Sequence, residues 1–211
     1  MSTPSFIIDL KSAGKKFFRN WIFRNVVFQS EQGQKISVIG PNGSGKSTFL
    51  QVLAGYESLS EGSVSFSRNG KEVSRENIFR HISIAAPYLE LIEEYTLEEI
   101  VRFHFQFKQP VKQFSTDEII ELIQLENSKD KVFKYFSSGM KQRVRLGLAI
   151  LSDVDMVLLD EPLSNLDKSG ANWYHELAGN YLADKTVVVG SNQNEAEYFF
   201  CGRSINIADY K

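Results

Sequence analysis

Gly40-Pro41-Asn42-Gly43-Ser44-Gly45-Lys46-Ser47-Thr48 has the spacing G-x-x-x-x-G-K-[ST], which suits one task above others, holding phosphate groups. Its glycines let the backbone fold tightly around an anion. Successive N–H groups then point inward as a concave nest. A helix starting at the loop aims its positive end at the same anion. Lys46 would reach the β- and γ-phosphates of a nucleoside triphosphate, and the Ser47 hydroxyl would ligate Mg²⁺. A Gly-rich turn without function has the same local composition, but the flanks argue against it. Residues 35–39 read as a buried strand entering the loop, and residues 48–54 as a helix leaving it, with Gly55 as its stop.

Met156-Val157-Leu158-Leu159-Asp160-Glu161-Pro162 is an aliphatic run ending in two carboxylates. A strand of this kind is buried on both faces, as in a parallel sheet. Ligands of such sheets bind beyond the carboxyl ends of the strands, which predicts that Asp160 and Glu161 lie beside the phosphate loop. Asp160 would then hold Mg²⁺, directly or through water. Glu161 would act as the general base on an attacking water.

A third motif is Tyr135-Phe136-Ser137-Ser138-Gly139-Met140-Lys141-Gln142-Arg143. On its own, Ser137-Ser138-Gly139 reads as a helix N-cap. Its residues also resemble the signature of the ATP-binding-cassette (ABC) family, usually Leu-Ser-Gly-Gly-Gln. Ser137 and Gly139 match. Phe136, Ser138 and Met140 stand for the leucine, the first glycine and the glutamine. Ser164-Asn165-Leu166-Asp167 resembles the family's D-loop, usually Ser-Ala-Leu-Asp, and the motifs follow the family's order over nearly the whole chain.

The resemblance implies an α/β P-loop NTPase fold with a mostly parallel core sheet, an N-terminal antiparallel β portion and a helical insert. It implies one cassette over residues 1–211, with the insert at about 87–150. It also implies ATP and Mg²⁺ as ligands, and head-to-tail pairing with an identical or different cassette. Ser137, Ser138 and Gly139 would then meet the ATP held by the other cassette, and Asp167 would belong to the D-loop. Adenine would stack on an aromatic residue near Lys15-Lys16-Phe17-Phe18, with Phe17 the first choice; a core phenylalanine is the alternative. Two positions depart from the family. Ala86 stands where a glutamine is usual, and Asn192 where a histidine is. Alanine offers no oxygen, and asparagine cannot carry a proton as imidazole does. Hydrolysis that is slow or partner-dependent is the expectation.

Which elements must position these residues? Strands are predicted at 6–10, 26–30, 63–66 and 81–85, with a basic, aromatic stretch between the first two. Between 87 and 134 the chain turns helical and acidic. Thr96-Leu97-Glu98-Glu99 and Ser115-Thr116-Asp117-Glu118 both fit a capping box. A helix from Gly139 to Leu151, the acidic strand, a helix over 169–181, a strand over 186–190, a short helix and a strand near 204–207 complete an alternating pattern.

Composition narrows the roles. Lys and Arg total 24 against 26 Asp and Glu, a net charge of −2 that offers no electrostatic case for nucleic acid or an anionic membrane surface. Cys201 is the only cysteine, so no internal disulfide forms. No apolar run is long enough to span a bilayer. The first residues lack a basic segment followed by an apolar run, so no signal peptide is expected. His81, His104 and His175 show no metal-ligand spacing. Transport therefore calls for a separate permease, which would hold this chain peripherally on the cytoplasmic face of a membrane. Tyr95, Phe103, Phe105, Phe107 and Phe114 in the insert cannot all face one core, and some are expected to meet that permease, with local packing within the insert the alternative for any one of them. A soluble cassette acting as an assembly or remodelling switch is the alternative. A small-molecule kinase would leave the Ser137 motif and the D-loop unexplained.

Overall fold

The computed structural model describes residues 5–211; the signal-peptide expectation falls largely on residues 1–4, outside the described part. Two sheets organise the chain. The first contains β1 (Phe6–Phe17), β2 (Asn20–Gln29), β4 (Glu61–Arg68) and β5 (Lys71–Glu72), antiparallel in the order β2-β1-β4-β5. The second contains β3 (Lys35–Ile39), β6 (Ile82–Ala85), β7 (Met156–Asp160), β8 (Thr186–Ser191) and β9 (Arg203–Asn206), all parallel in the order β6-β7-β8-β3-β9. The helices are α1 (Lys46–Leu53), α2 (Leu97–His104), α3 (Thr116–Leu122), α4 (Ser138–Ile150) and α5 (Lys168–Tyr181). Among the described residues, no helix is long and apolar enough to cross a membrane.

The parallel sheet is buried on both faces, which explains why β7 and β8 lack polar alternation. Met156, Leu158, Val188, Ile36 and Val38 face α1 and the antiparallel sheet. Val157, Leu159, Val187 and Val189 face α4, α5 and the insert. Successive residues thus feed two separate cores, as the period of two requires.

The sequence expectation differs from the fold in two places. The first two strands run on through the basic, aromatic stretch and close a hairpin at Phe17↔Asn20. Their alternation is broken where the pairing register shifts between Leu10 and Lys16. Ser12 and Asn25 adopt positive φ of 47° and 56° there. Such irregularity adds twist and hides a strand from a periodicity reading. Between residues 87 and 134, α-helix is confined to the short α2 and α3, joined by turns and 3-10 segments. Both predicted capping boxes do form: Thr96 Oγ1 accepts from Glu99 N at 3.3 Å, and Ser115 Oγ from Glu118 N at 3.3 Å.

Candidate nucleotide site

β3 delivers the chain to the phosphate loop and α1 carries it away, so Gly40–Thr48 sits at the carboxyl edge of the parallel sheet. Gly45 has φ 108°, and a Cβ there would lie 2.5 Å from Ile22 Cγ2. Only glycine allows β2 to press this closely on the loop. Lys46 is 4% exposed, and its Nζ donates to Gly40 O at 2.9 Å and Pro41 O at 3.2 Å. A cavity of 370 Å³ opens above these residues, walled by Ile22, Asn42, Ser47, Thr48 and Glu161.

β7 lies two strands from β3, with β8 between them. Its end brings Asp160 and Glu161 to the same edge, as expected. Glu161 has φ 44°, a costly conformation for a non-glycine residue. It is pinned by its N–H, which donates to Gly190 O at 2.8 Å. Its Oε1 lies 3.9 Å from Lys46 Nζ. Asp160 is 1% exposed, and burial raises its carboxyl from 3.8 to about 6. The Ser47 hydroxyl opposes that rise, the Glu161 charge adds to it, and Lys46 opposes it. Gly190 stands opposite Asp160 in the ladder; a Cβ on it would lie 2.6 Å from Asp160 Oδ1. Glycine therefore leaves room for the carboxylate.

Four buried side-chain polar atoms lack a hydrogen-bond partner among the described residues: Ser44 Oγ, Asp160 Oδ1, Gln142 Oε1 and Arg68 Nε, the last within 3.0 Å of Asp155. Ser44 and Asp160 belong to the loop and the adjoining strand end. An orphaned polar atom in a folded core is satisfied by a water, an ion or a ligand. A hydroxyl (Ser47) beside a carboxylate (Asp160) is the hard-oxygen set that suits Mg²⁺.

The Ser137 motif forms the start of α4. Ser137 Oγ accepts from Met140 N at 3.2 Å, so the N-cap reading holds. Ser137 and Ser138 are exposed. Gly139 abuts the D-loop: a Cβ there would lie 2.9 Å from Asn165 O. Asp167 caps α5, accepting from Gly170 N at 2.8 Å and Ser169 Oγ at 2.9 Å, and these bonds hold its carboxyl below the usual range. Asn192 follows β8 on the same sheet edge and is exposed. Ala86 directly follows β6 and is fully buried. Phe17 sits at the hairpin end, 41% exposed under Lys15 Nζ at 4.8 Å; it is not part of the cavity wall. Neither Ser137 nor Asp167 belongs to that wall.

Two residues escaped the sequence reading. Ile22 covers the loop, but one aliphatic residue in a strand carries no local signal. Gln142 is fully buried and donates to Pro162 O at 3.1 Å, tying α4 to the residue after Glu161. It stood inside the Ser137 motif, where its spacing gave it no role.

A phosphate loop between β3 and α1, faced by carboxylates at the end of β7, defines a P-loop α/β nucleotide-binding protein. The chain belongs to the ABC transporter family, whose model matches residues 23–164. It is 32% identical over 163 residues to an aliphatic sulfonates import ATP-binding protein of Bacillus licheniformis, covering 77% of this chain and 62% of the relative. It is 31% identical over 164 residues to an Fe(3+) ions import ATP-binding protein of Fusobacterium nucleatum, covering 76% of this chain and 44% of the relative. The aligned part thus spans about half the length of these curated relatives. The fold is similar to that of a solved ATP-binding subunit of an ABC transporter, with a TM-score of 0.80 at 22% identity, covering 96% and 87% of the two chains.

Proposed function

We propose that this chain is one ATP-hydrolysing cassette, formed by residues 1–211, that drives a membrane transporter as a subunit separate from the permease. The observation that carries this reading is the Glu161 carboxylate 3.9 Å from Lys46 Nζ, at the edge of a cavity that can take a triphosphate. Loop N–H groups and Lys46 bind the phosphates. Ser47 and Asp160 would hold Mg²⁺, which when bound neutralises charge on the phosphate oxygens. Glu161 takes the proton of a water attacking the γ-phosphorus, and ADP leaves with the bridging oxygen. The positive φ of Glu161 is strain spent on aiming its carboxylate.

Ser137, Ser138 and Gly139 are exposed or half-exposed at the N-terminus of α4. A hydroxyl, open N–H groups and a helix dipole suit the γ-phosphate of ATP held by a second cassette. Asp167 shapes the adjoining turn at that pairing face. Asn192 can donate to the γ-phosphate, and Phe17 offers an exposed ring for adenine. With Ala86 fully buried and without oxygen, hydrolysis is slow or waits on a partner.

The permease would sit on a groove of 370 Å³ built by the insert and β6. Its rim includes Phe79, Ile92, Phe103 and Phe107, each at least 38% exposed. Phe105 and Phe114 instead pack on the core. This contact would keep the chain on the cytoplasmic face of the membrane. Relatives named for iron and for sulfonates share the cassette, so cargo choice belongs to the membrane partner. Those names favour transport over a soluble remodelling switch.

Phosphate release from Mg²⁺-ATP by the purified chain, beside Glu161→Gln with mass followed by light scattering, tests the proposal. Turnover lost in the variant, together with an ATP-trapped dimer, supports a homodimeric motor. If the chain neither binds ATP nor turns it over, alone or with its permease, the proposal fails.

A further inference from the structure

Glu197 lies outside every motif described above, in a short 3-10 turn after β8, yet it is only 5% exposed. Burial of a carboxylate needs compensation, and its partners come from two separate loops. Ser191 Oγ donates to Oε2 at 2.5 Å, and Leu163 N donates to Oε1 at 3.3 Å. Ser191 ends β8 and directly precedes Asn192. Leu163 follows Glu161 and Pro162. The same Ser191 Oγ accepts from Asn194 N at 3.1 Å, closing the turn that carries Asn192.

The turn is anchored from behind as well. Tyr174, fully buried on α5, donates its hydroxyl to Glu197 O at 2.7 Å, and His175 Nε2 lies 2.8 Å from Ala196 O. The backbone of Glu197 is thereby fixed independently of its carboxylate. Burial raises the carboxyl, the Ser191 and Leu163 bonds oppose that rise, and the nearby charges of Glu161 and Asp160 add to it. Glu197 therefore feels both carboxylates of the candidate site without touching the cavity.

We propose that Glu197 is a positioning residue that clamps the Ser191–Asn194 turn to the Leu163 turn, so that Glu161 and Asn192 keep one mutual geometry across the phosphate site. The role in turnover rests on the ATPase reading given above; the clamp itself does not. A chain without the family's usual glutamine and histidine relies more heavily on fixing the polar groups it retains. Small misplacement of such groups is costly in rate.

Hydrogen exchange of the Leu163 and Asn194 amides tests the clamp without nucleotide, in the full chain and in Glu197→Ala, Glu197→Gln and Ser191→Ala. Glutamine keeps an acceptor for Leu163 N and an N–H₂ that can donate to Ser191 Oγ. The expected result is exchange about tenfold faster at both amides in Glu197→Ala and at Asn194 in Ser191→Ala. Protection should be near wild type in Glu197→Gln, with the β3 amides unchanged throughout. ATP turnover in Glu197→Ala should fall roughly ten- to hundredfold, with the affinity for a fluorescent ATP analogue unchanged and turnover restored in Glu197→Gln. Unchanged exchange at Leu163 and Asn194, protection lost equally in β3, or a glutamine variant as damaged as alanine would each overturn the clamp. Wild-type chain that never turns over ATP would remove the ATPase reading and leave the exchange data to judge the clamp alone.

Discussion

The cavity over Lys46 and the groove beside Phe103 each enclose 370 Å³, yet their walls differ in kind. The first is lined by loop backbone, an ammonium, hydroxyls and Glu161. Its residues come chiefly from one stretch of sequence and one strand end. The second is lined mainly by aliphatic and aromatic side chains from α1's end, the segment before β6, β6 itself, the turn after it, α2 and Leu148 of α4. Tyr95, Phe103 and Phe107 stack edge to face along it, with centroids 5.9 and 5.2 Å apart. Lys108 closes one side by donating to the Phe79 and Ile82 carbonyls, and burial lowers it to about 8. A small charged ligand needs convergent N–H groups and charge. An apolar groove rimmed by exposed aromatic side chains offers contact surface rather than charge to a ligand. On the proposed function, the polar cavity would be where free energy enters and the apolar groove where it would be passed on.

Glu161→Gln should have the largest effect at the polar site, lowering phosphate release about 10²- to 10⁴-fold while ATP binding persists. Equal turnover in the variant would end the general-base assignment. Lys46→Ala should weaken ATP binding about 100-fold through loss of charge-assisted hydrogen bonds. Titration with a fluorescent analogue measures this, and the groove should be insensitive to it. The reverse experiment is Phe107→Asp, at a position 58% exposed. It should weaken association with permease-containing vesicles about 30-fold and leave nucleotide affinity at the wild-type value. Coupled losses in either variant would break the separation.

Asp160 gives a pH test with a definite sign. Its folded-state value of about 6 lies above the ordinary 3.8, so the folded chain favours the protonated form. That contribution is complete below 3.8 and is lost as pH rises through about 6. At pH 8 without Mg²⁺, Asp160→Asn should therefore stabilise the fold by up to about 3 kcal/mol, seen as a higher Tm. The gain should vanish below about pH 4, and Mg²⁺-ATP should no longer raise the Tm of the variant. The smallest effect belongs to the insert: Thr96→Ala, which removes the cap of α2, should cost about 1 kcal/mol in thermal unfolding. Nucleotide affinity should not follow.

The two regions were also unequally legible. The phosphate loop is contiguous and its chemistry dictates residue type, so Gly40 to Thr48 could be read directly. The β7 run announced burial on both faces because a parallel central strand has no polar side. The capping boxes at Thr96 and Ser115 were readable because a cap is a contact over three residues. The β1–β2 hairpin was cut short in the reading because its bulged register disrupts alternation. Residues 87–134 read as more helical than they are; the segments around the two caps are held by tertiary packing rather than by helical periodicity.

Sequence alone determined the class of chemistry, because phosphate binding is written in local backbone geometry and in the glycines that permit it. It also determined the order of the main strands and helices, because a doubly buried strand and a capped helix each leave a short-range pattern. Only the tertiary structure decided which residues meet. It set Gly190 against Asp160, Ile22 against Gly45, Gln142 against Pro162, and Glu197 between Ser191 and Leu163. Apart from the Glu197–Ser191 bond, these contacts join segments twenty or more residues apart. Their partners are chosen by packing and by the need to satisfy buried polar atoms, and neither requirement leaves a periodic mark on the sequence.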